Sequence, residues 1–220
     1  MFLTLLKKEL FIEFRSREVI LSMLIFGLSI ILVFAFTSNV SKVIVANYAP
    51  GMFWIMVLLV TVLGVHRSFS YEKEFDAFSL LISSPIDRGL IYLAKWISGF
   101  IFLTIMEAIV IIPFFKFLLI EYPSDLLLSV VTTLLINLAI MSVASLVSGI
   151  AMRANLSEVL VPILFFPLVS PVVIAASKIS AGIMAGEPYQ LWQIWLLIVI
   201  SIIVIFSLIG YTLFDFITEE

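Results

Sequence analysis

LLLSVVTTLLINLAIMSVASLVSGIAM, residues Leu126 to Met152, contains no charged side chain. Coiled as an α-helix it is about 40 Å long, more than the roughly 30 Å of hydrocarbon in a bilayer. The rest of the chain decides how that stretch is read. Of 220 residues, 63% are hydrophobic and 12% are charged, too few to give a soluble domain of this size a polar surface. The solvent is therefore lipid. Lipid offers nothing to bond to backbone N–H and C=O groups, so each spanning segment must bond them within itself, as a helix does.

Outward from this segment, four more uncharged runs reach or approach spanning length: Val19 to Ser38, Tyr48 to Val65, Val159 to Ser177 and Leu191 to Phe214. A further segment, Trp96 to Phe115, contains one charge, Glu107, and is flanked by Lys95 and Lys116, which can snorkel toward opposite headgroup layers. The fold class that follows is an all-α polytopic membrane protein with six transmembrane helices, at about 19–38, 48–65, 96–115, 126–152, 159–177 and 191–214. No connection is long enough to fold separately and no repeat is evident, so residues 1–220 form one domain. Residues 1–18 carry Lys7, Lys8, Glu9, Glu13, Arg15, Arg17 and Glu18 and are not followed by a small-residue cleavage site, which predicts a retained first helix rather than a signal peptide.

Positive charge sets the orientation, because short cytoplasmic segments retain Lys and Arg. With the N-terminus inside, the cytoplasmic segments hold Lys7, Lys8, Arg15, Arg17, Arg67, Lys73, Arg88, Lys95 and Arg153, and the other side holds only Lys42, Lys116 and Lys178. The topology is N-in and C-in. Tyr48, Trp54, Tyr92, Trp96, Tyr122, Tyr189, Trp192 and Trp195 fall mostly near span ends and read as headgroup anchors.

Two segments have amphipathic patterns. In Phe2 to Phe14, Leu3, Leu6, Leu10 and Phe14 recur at three and four residues, which suits a helix lying in the interface, either as an elbow framing moving helices or as a plain anchor. In the longest cytoplasmic connection, His66 to Gly89, Tyr71, Phe75, Phe78 and Ile82 make one apolar stripe, while Glu72, Lys73, Glu74 and Asp76 lie on other faces. The acids suit the opening turns of a helix, and Ser84-Pro85 redirects the chain into the third span. Such a helix lies on lipid or docks into a partner's groove.

Within the membrane, Glu107 is a midspan carboxyl whose placement costs about 2.5–3.5 kcal/mol on insertion scales, so it must face protein or water. It is either part of a substrate pathway or a carboxyl bonded to a neighbouring helix, with Asn137 a partner of the right type. Pro162, Pro167 and Pro171 each remove a backbone donor from the fifth span, predicting a bent or broken helix, either mobile and pathway-lining or statically kinked.

Several chemistries are excluded. With no cysteine there is no disulfide, thiolate metal site or Cys nucleophile, and a net charge of -3 gives no reason to expect a nucleic-acid partner. His66 is the only histidine, and without a second ligand it reads as an interfacial polar residue rather than an axial haem ligand. No catalytic constellation is evident, and no G-x-x-x-x-G-K-[ST] phosphate loop occurs, so this chain is not expected to hydrolyse ATP.

The stretches Ala49-Pro50-Gly51-Met52-Phe53-Trp54 and Arg67-Ser68-Phe69, the amphipathic connection ending at Pro85, and Phe166-Pro167-Leu168-Val169-Ser170-Pro171 together resemble the CcmB family of haem exporter proteins along essentially the whole chain. The resemblance implies the permease subunit of an ABC transporter in the bacterial inner membrane, acting in cytochrome c maturation. It implies a homodimer bound by the ATPase subunit CcmA and associated with CcmC and CcmD, whose ATP hydrolysis releases haem-loaded CcmE. ATP and Mg would bind on CcmA and haem would be handled in the complex, with no cofactor or metal held by this chain. The segment from Tyr71 to Ile82 takes the place of the coupling helix, making Tyr71, Glu72, Glu74, Phe75, Asp76, Phe78 and Ile82 the ATPase-docking residues, with Arg153 to Glu158 a minor contact. Where that family often has Gly-x-Leu-Glu, this chain has Asp76-Ala77-Phe78-Ser79. The rival readings are a permease for lipid or polysaccharide, a non-transporting scaffold, and an intramembrane enzyme using His66 and Glu107, which lie at different depths.

Overall fold

The computed structural model describes residues 1–15, 17–37, 42–74, 86–152 and 157–218. They form α1 (Phe2–Arg15), α2 (Arg17–Thr37), α3 (Lys42–Glu74), α4 (Arg88–Leu118), α5 (Leu126–Met152), α6 (Ser157–Met184) and α7 (Tyr189–Thr218). All but α1 are long and apolar enough to span a bilayer, over Arg17–Thr37, Ile44–Val65, Arg88–Leu118, Leu126–Ala151, Val159–Met184 and Tyr189–Phe214. These are the six expected spans, most of them extended at their ends. The largest extension is at α4, which starts at Arg88 because Asp87 caps it, accepting a hydrogen bond from Gly89 N at 2.8 Å. α4 stops at Leu119, whose left-handed backbone (φ 56°) turns its N–H onto the carbonyl of Phe115.

The long uncharged segment α5 is the hub, touching α3, α4, α6 and α7. From Ile136 to Gly149 every residue but Leu138 is buried. Lipid tails are as apolar as Leu, so helices in a bilayer associate through close packing and hydrogen bonds rather than a hydrophobic drive. Here the close approach comes from glycines that receive large side chains. A Cβ at Gly210 of α7 would overlap the Tyr92 ring of α4, and one at Gly99 of α4 would overlap the terminal methyl of Met141 of α5. Seated against Gly210, the Tyr92 hydroxyl lies 3.1 Å from the carbonyl of Ser142 and 3.0 Å from that of Phe206, joining α4 to α5 and α7. Trp96 Nε1 donates to Leu138 O at 2.9 Å, and Trp54 Nε1 to Ser180 Oγ at 2.8 Å. Trp54, Tyr92, Trp96 and Trp192 are buried. They are packing residues, not headgroup anchors, whereas Tyr48, Tyr122 and Tyr189 are exposed.

α1 docks on α4: Leu5 and Glu9 are buried and Phe14 meets Phe102 edge-on with ring centroids 5.9 Å apart, while Leu3 and Phe14 of the anticipated apolar stripe keep exposed surface, as a helix lying in the interface requires. α6 is not broken: it runs as one helix through Pro162, Pro167 and Pro171. Pro171 cannot donate to the carbonyl of Pro167, four residues back, and Ser170 Oγ donates to that carbonyl instead, at 2.9 Å. Pro167 and Pro171 are exposed, so this repair does not depend on protein packed over them.

The socket at Gly210 has a measurable consequence. Gly210→Ala should destabilise the chain by about 1–3 kcal/mol through overpacking, and Tyr92→Phe by about 1 kcal/mol through the lost hydrogen bond. Thermal unfolding of the detergent-solubilised chain, followed by its monodisperse fraction, reads both changes. Because the two sites touch, the double variant should depart from additivity.

Candidate functional site

Two buried polar pairs stand out against the apolar helices, and α4 contributes to both. The first is at midspan. Glu107 of α4 and Asn137 of α5 are 5% and 0% exposed, and Asn137 Nδ2 donates to Glu107 Oε2 and approaches Thr104 Oγ1 at 3.3 Å. The structure thus brings together the two polar residues singled out in these spans. Glu107 Oε1 and Asn137 Oδ1 are buried without a hydrogen-bond partner.

Glu107 lies in the wall of a cavity of about 400 Å³ between α3, α4, α5 and α6. Phe53, Trp54, Ile111, Phe114, Phe115 and Ile183 supply much of its apolar lining. Tyr122, in the connection after α4, stacks on Phe115 with ring centroids 4.8 Å apart and closes one side. α6 contributes Ser180, Ile183 and Met184, beyond the expected end of its span, while Pro162, Pro167 and Pro171 do not line the cavity. The cavity could not be found from the sequence, because its residues come from four helices and no periodicity marks them.

The second pair lies about 18 Å along α4 from Glu107, at a rise of 1.5 Å per residue. Lys95, expected to snorkel to the headgroups, is instead 7% exposed, with Nζ 3.4 Å from Glu9 Oε2 of α1, while Lys8 Nζ lies 2.9 Å from Glu9 Oε1. The capped start of α4 puts Lys95 inside the helix and under α1. Burial pushes the Glu9 carboxyl up, but Lys95 and Lys8 together outweigh that and hold it below its ordinary value of 4.5.

The expected coupling segment is described only in part. Tyr71, Glu72 and Glu74 lie on the helical backbone that continues α3 to Glu74, so the acids do not open a new helix there; no Gly or Pro after Gly64 interrupts α3 before them. Phe75, Asp76, Phe78 and Ile82 lie outside the described residues, as does most of the turn from Arg153 to Glu158. His66 is on the α3 backbone.

Six long apolar helices around an apolar core with a few buried polar residues define a polytopic, multi-pass α-helical membrane protein. Comparison with known proteins makes this specific. The sequence pattern of the family described as CcmB protein matches residues 1–213, and the chain belongs to that family. It is 28% identical over 190 residues to Heme exporter protein B of Haemophilus influenzae, covering 86% of this chain and 85% of that protein. It is 24% identical over 197 residues to Heme exporter protein B of Pseudomonas aeruginosa, covering 89% and 87%.

Both pairs can be tested. The folded Glu9 carboxyl has a lowered pKa, so its contribution is complete above its ordinary value of 4.5 and is lost as pH falls through the folded value. Wild type should exceed Glu9→Gln in stability by about 1–3 kcal/mol at pH 7, and the gap should close as the medium is acidified below pH 4, read from thermal unfolding at a series of pH values. At midspan, Asn137→Leu should cost about 1–3 kcal/mol by stripping Glu107 of its donor. Glu107→Leu in the same chain should recover much of that loss, as a double-mutant cycle would measure.

Proposed function

We propose that this chain is the permease subunit of an ABC exporter in a bacterial inner membrane, serving haem handling in cytochrome c maturation. The family match over residues 1–213 carries this reading, and the names of the relatives supply the haem. The positive charge of the N-terminal segment and of the connection after α3 orients both toward the cytoplasm, where a soluble ATPase could reach them. The partner is CcmA, with CcmC and CcmD in the same assembly as a homodimer of this chain, and the outcome of hydrolysis is release of haem-loaded CcmE. ATP and Mg belong to CcmA, because this chain has no phosphate loop.

The geometry supports a route for coupling. A push on the connection between α3 and α4 arrives first at Asp87, which caps α4 and lies 3.3 Å from the Tyr211 hydroxyl of α7. From there α4 reaches α1 through Lys95 and Glu9. The exposed contact of Asp87 with Tyr211 gives way readily, but α4 stays tied to α7 through Tyr92 and to α1 through Lys95, so displacement of the connection would move all three together. The docking side chains in this proposal are Tyr71, Glu72, Glu74, Phe75, Asp76, Phe78 and Ile82.

The test is co-purification from the native host. Wild type should bring down CcmA and CcmC, while a Phe75→Asp, Phe78→Asp variant should lose about tenfold of its CcmA, equivalent to ~1.4 kcal/mol, and keep CcmC. A wild-type chain that never retains CcmA, under conditions that preserve CcmC, would defeat the proposal. Retention of an unrelated ATPase would favour an exporter of lipid or polysaccharide.

A further inference from the structure

The cavity beside Glu107 has a chemistry that neither the family match nor the coupling route uses. It holds about 400 Å³, within the range of small-molecule sites, and its lining is mainly aromatic and aliphatic. Its polar groups are few: Thr104 and Glu107 on α4, Ser129, Thr132 and Thr133 on α5, and Ser180 on α6. Trp54 Nε1 and Thr132 Oγ1 already donate to protein oxygens. Glu107 Oε1, on a residue that is 5% exposed, has no partner, and neither has the neighbouring Asn137 Oδ1. Such groups are costly in an apolar wall unless something completes their hydrogen bonds. Ile112 and Val130, which line the cavity on α4 and α5, are 51% and 55% exposed, so it borders the surface that faces lipid acyl chains.

We infer that this cavity is a binding site for a membrane-soluble amphiphile with an apolar body and a hydroxyl or phenol head, entering from the bilayer between α4 and α5, with the head at Glu107. A hydroxyl both donates and accepts, so it matches a carboxyl in either protonation state. A carboxylated amphiphile is a poor match. Among the described residues the lining contains Glu107 and no Lys, Arg or His, so a fatty acid or the two propionates of haem would meet a carboxyl and no cation there.

The probe is a photoreactive hexadecanol carrying a diazirine near its tail, compared with the matching O-methyl ether and hexadecanoate, on the full-length chain in nanodiscs, with cross-links mapped by mass spectrometry. The alcohol should label the cavity residues about fivefold more efficiently than either analogue, the order expected for one net hydrogen bond in an apolar site. Glu107→Leu should abolish that preference while leaving tail labelling. Ile111→Trp, which fills the cavity, should remove labelling by all three, and it carries the test if Glu107→Leu does not assemble. Unlabelled dioleoylglycerol and a short-chain isoprenoid quinol, added as competitors, distinguish a lipid hydroxyl from a phenol as the natural head. Equal labelling by hexadecanoate, displacement of the alcohol by haem, labelling spread evenly over the lipid-facing helices, or displacement by neither competitor would overturn the inference.

Discussion

Association without a hydrophobic drive is the constraint on which this bundle depends. A soluble core is held by expulsion of water, but six helices in lipid gain nothing from exchanging one hydrocarbon neighbour for another. They gain from contact denser than lipid can provide and from hydrogen bonds lipid cannot make. The glycine sockets supply the first. Gly210 lets the Tyr92 ring approach the α7 backbone more closely than any side chain would allow, and Gly149 does the same for Phe214. Buried Tyr and Trp donors supply the second, through Tyr92, Trp96 and Trp54. At Tyr92 the two devices coincide, because the ring seated against Gly210 brings its hydroxyl to the carbonyls of Ser142 and Phe206.

Buried charge has to be judged by its own magnitudes. A carboxylate taken out of water costs several kcal/mol, which a single neutral hydrogen bond does not offset, whereas two nearby ammonium groups can. Glu9 has two, Lys95 and Lys8, and retains the lowered pKa of an ion pair although it is 4% exposed. Glu107 has an amide donor from Asn137 and an oxygen left over. The difference separates a pair that ties α1 to α4 from one with capacity for a further group. Both lie on the same helix, so whatever moves α4 acts on both.

The spans were legible because, in so apolar a chain, an uncharged run of about twenty residues is long enough to cross the hydrocarbon and too apolar to face water. Their ends were less so, since Asp87 caps α4 well before the expected span begins at Trp96 and α6 continues past Ser177 to Met184. The aromatic residues misled for a physical reason: a ring with one polar atom suits the headgroup layer and a glycine socket equally well, and sequence does not show which glycine lies opposite. The pairing of Glu107 with Asn137 could be suggested from depth and residue type. That of Glu9 with Lys95 could not, because it joins residues 86 positions apart on a helix that was expected to lie flat on lipid. The repair at Pro167 was written in the adjacent Ser170, but only an intact α6 reveals it.

The contacts also differ in what they would permit if α4 moves as the proposed permease requires. Coupled motion needs two arrangements that different ligands favour differently, and packed interfaces switch between discrete states rather than deform. Sockets such as Gly210 with Tyr92 resist sliding, because a shift of one ångström drives a ring into backbone. The contact of Asp87 with Tyr211, at 3.3 Å and exposed, can be exchanged for water at little cost. Displacement of the connection is therefore expected to break that contact first, keep α4, α5 and α7 packed at Tyr92, and carry α1 along through Glu9. The same ordering separates the cavity from the ATPase side: Glu107 lies beyond the Tyr92 socket on α4, so an amphiphile held there would sense α4 as a rigid element, not the connection itself.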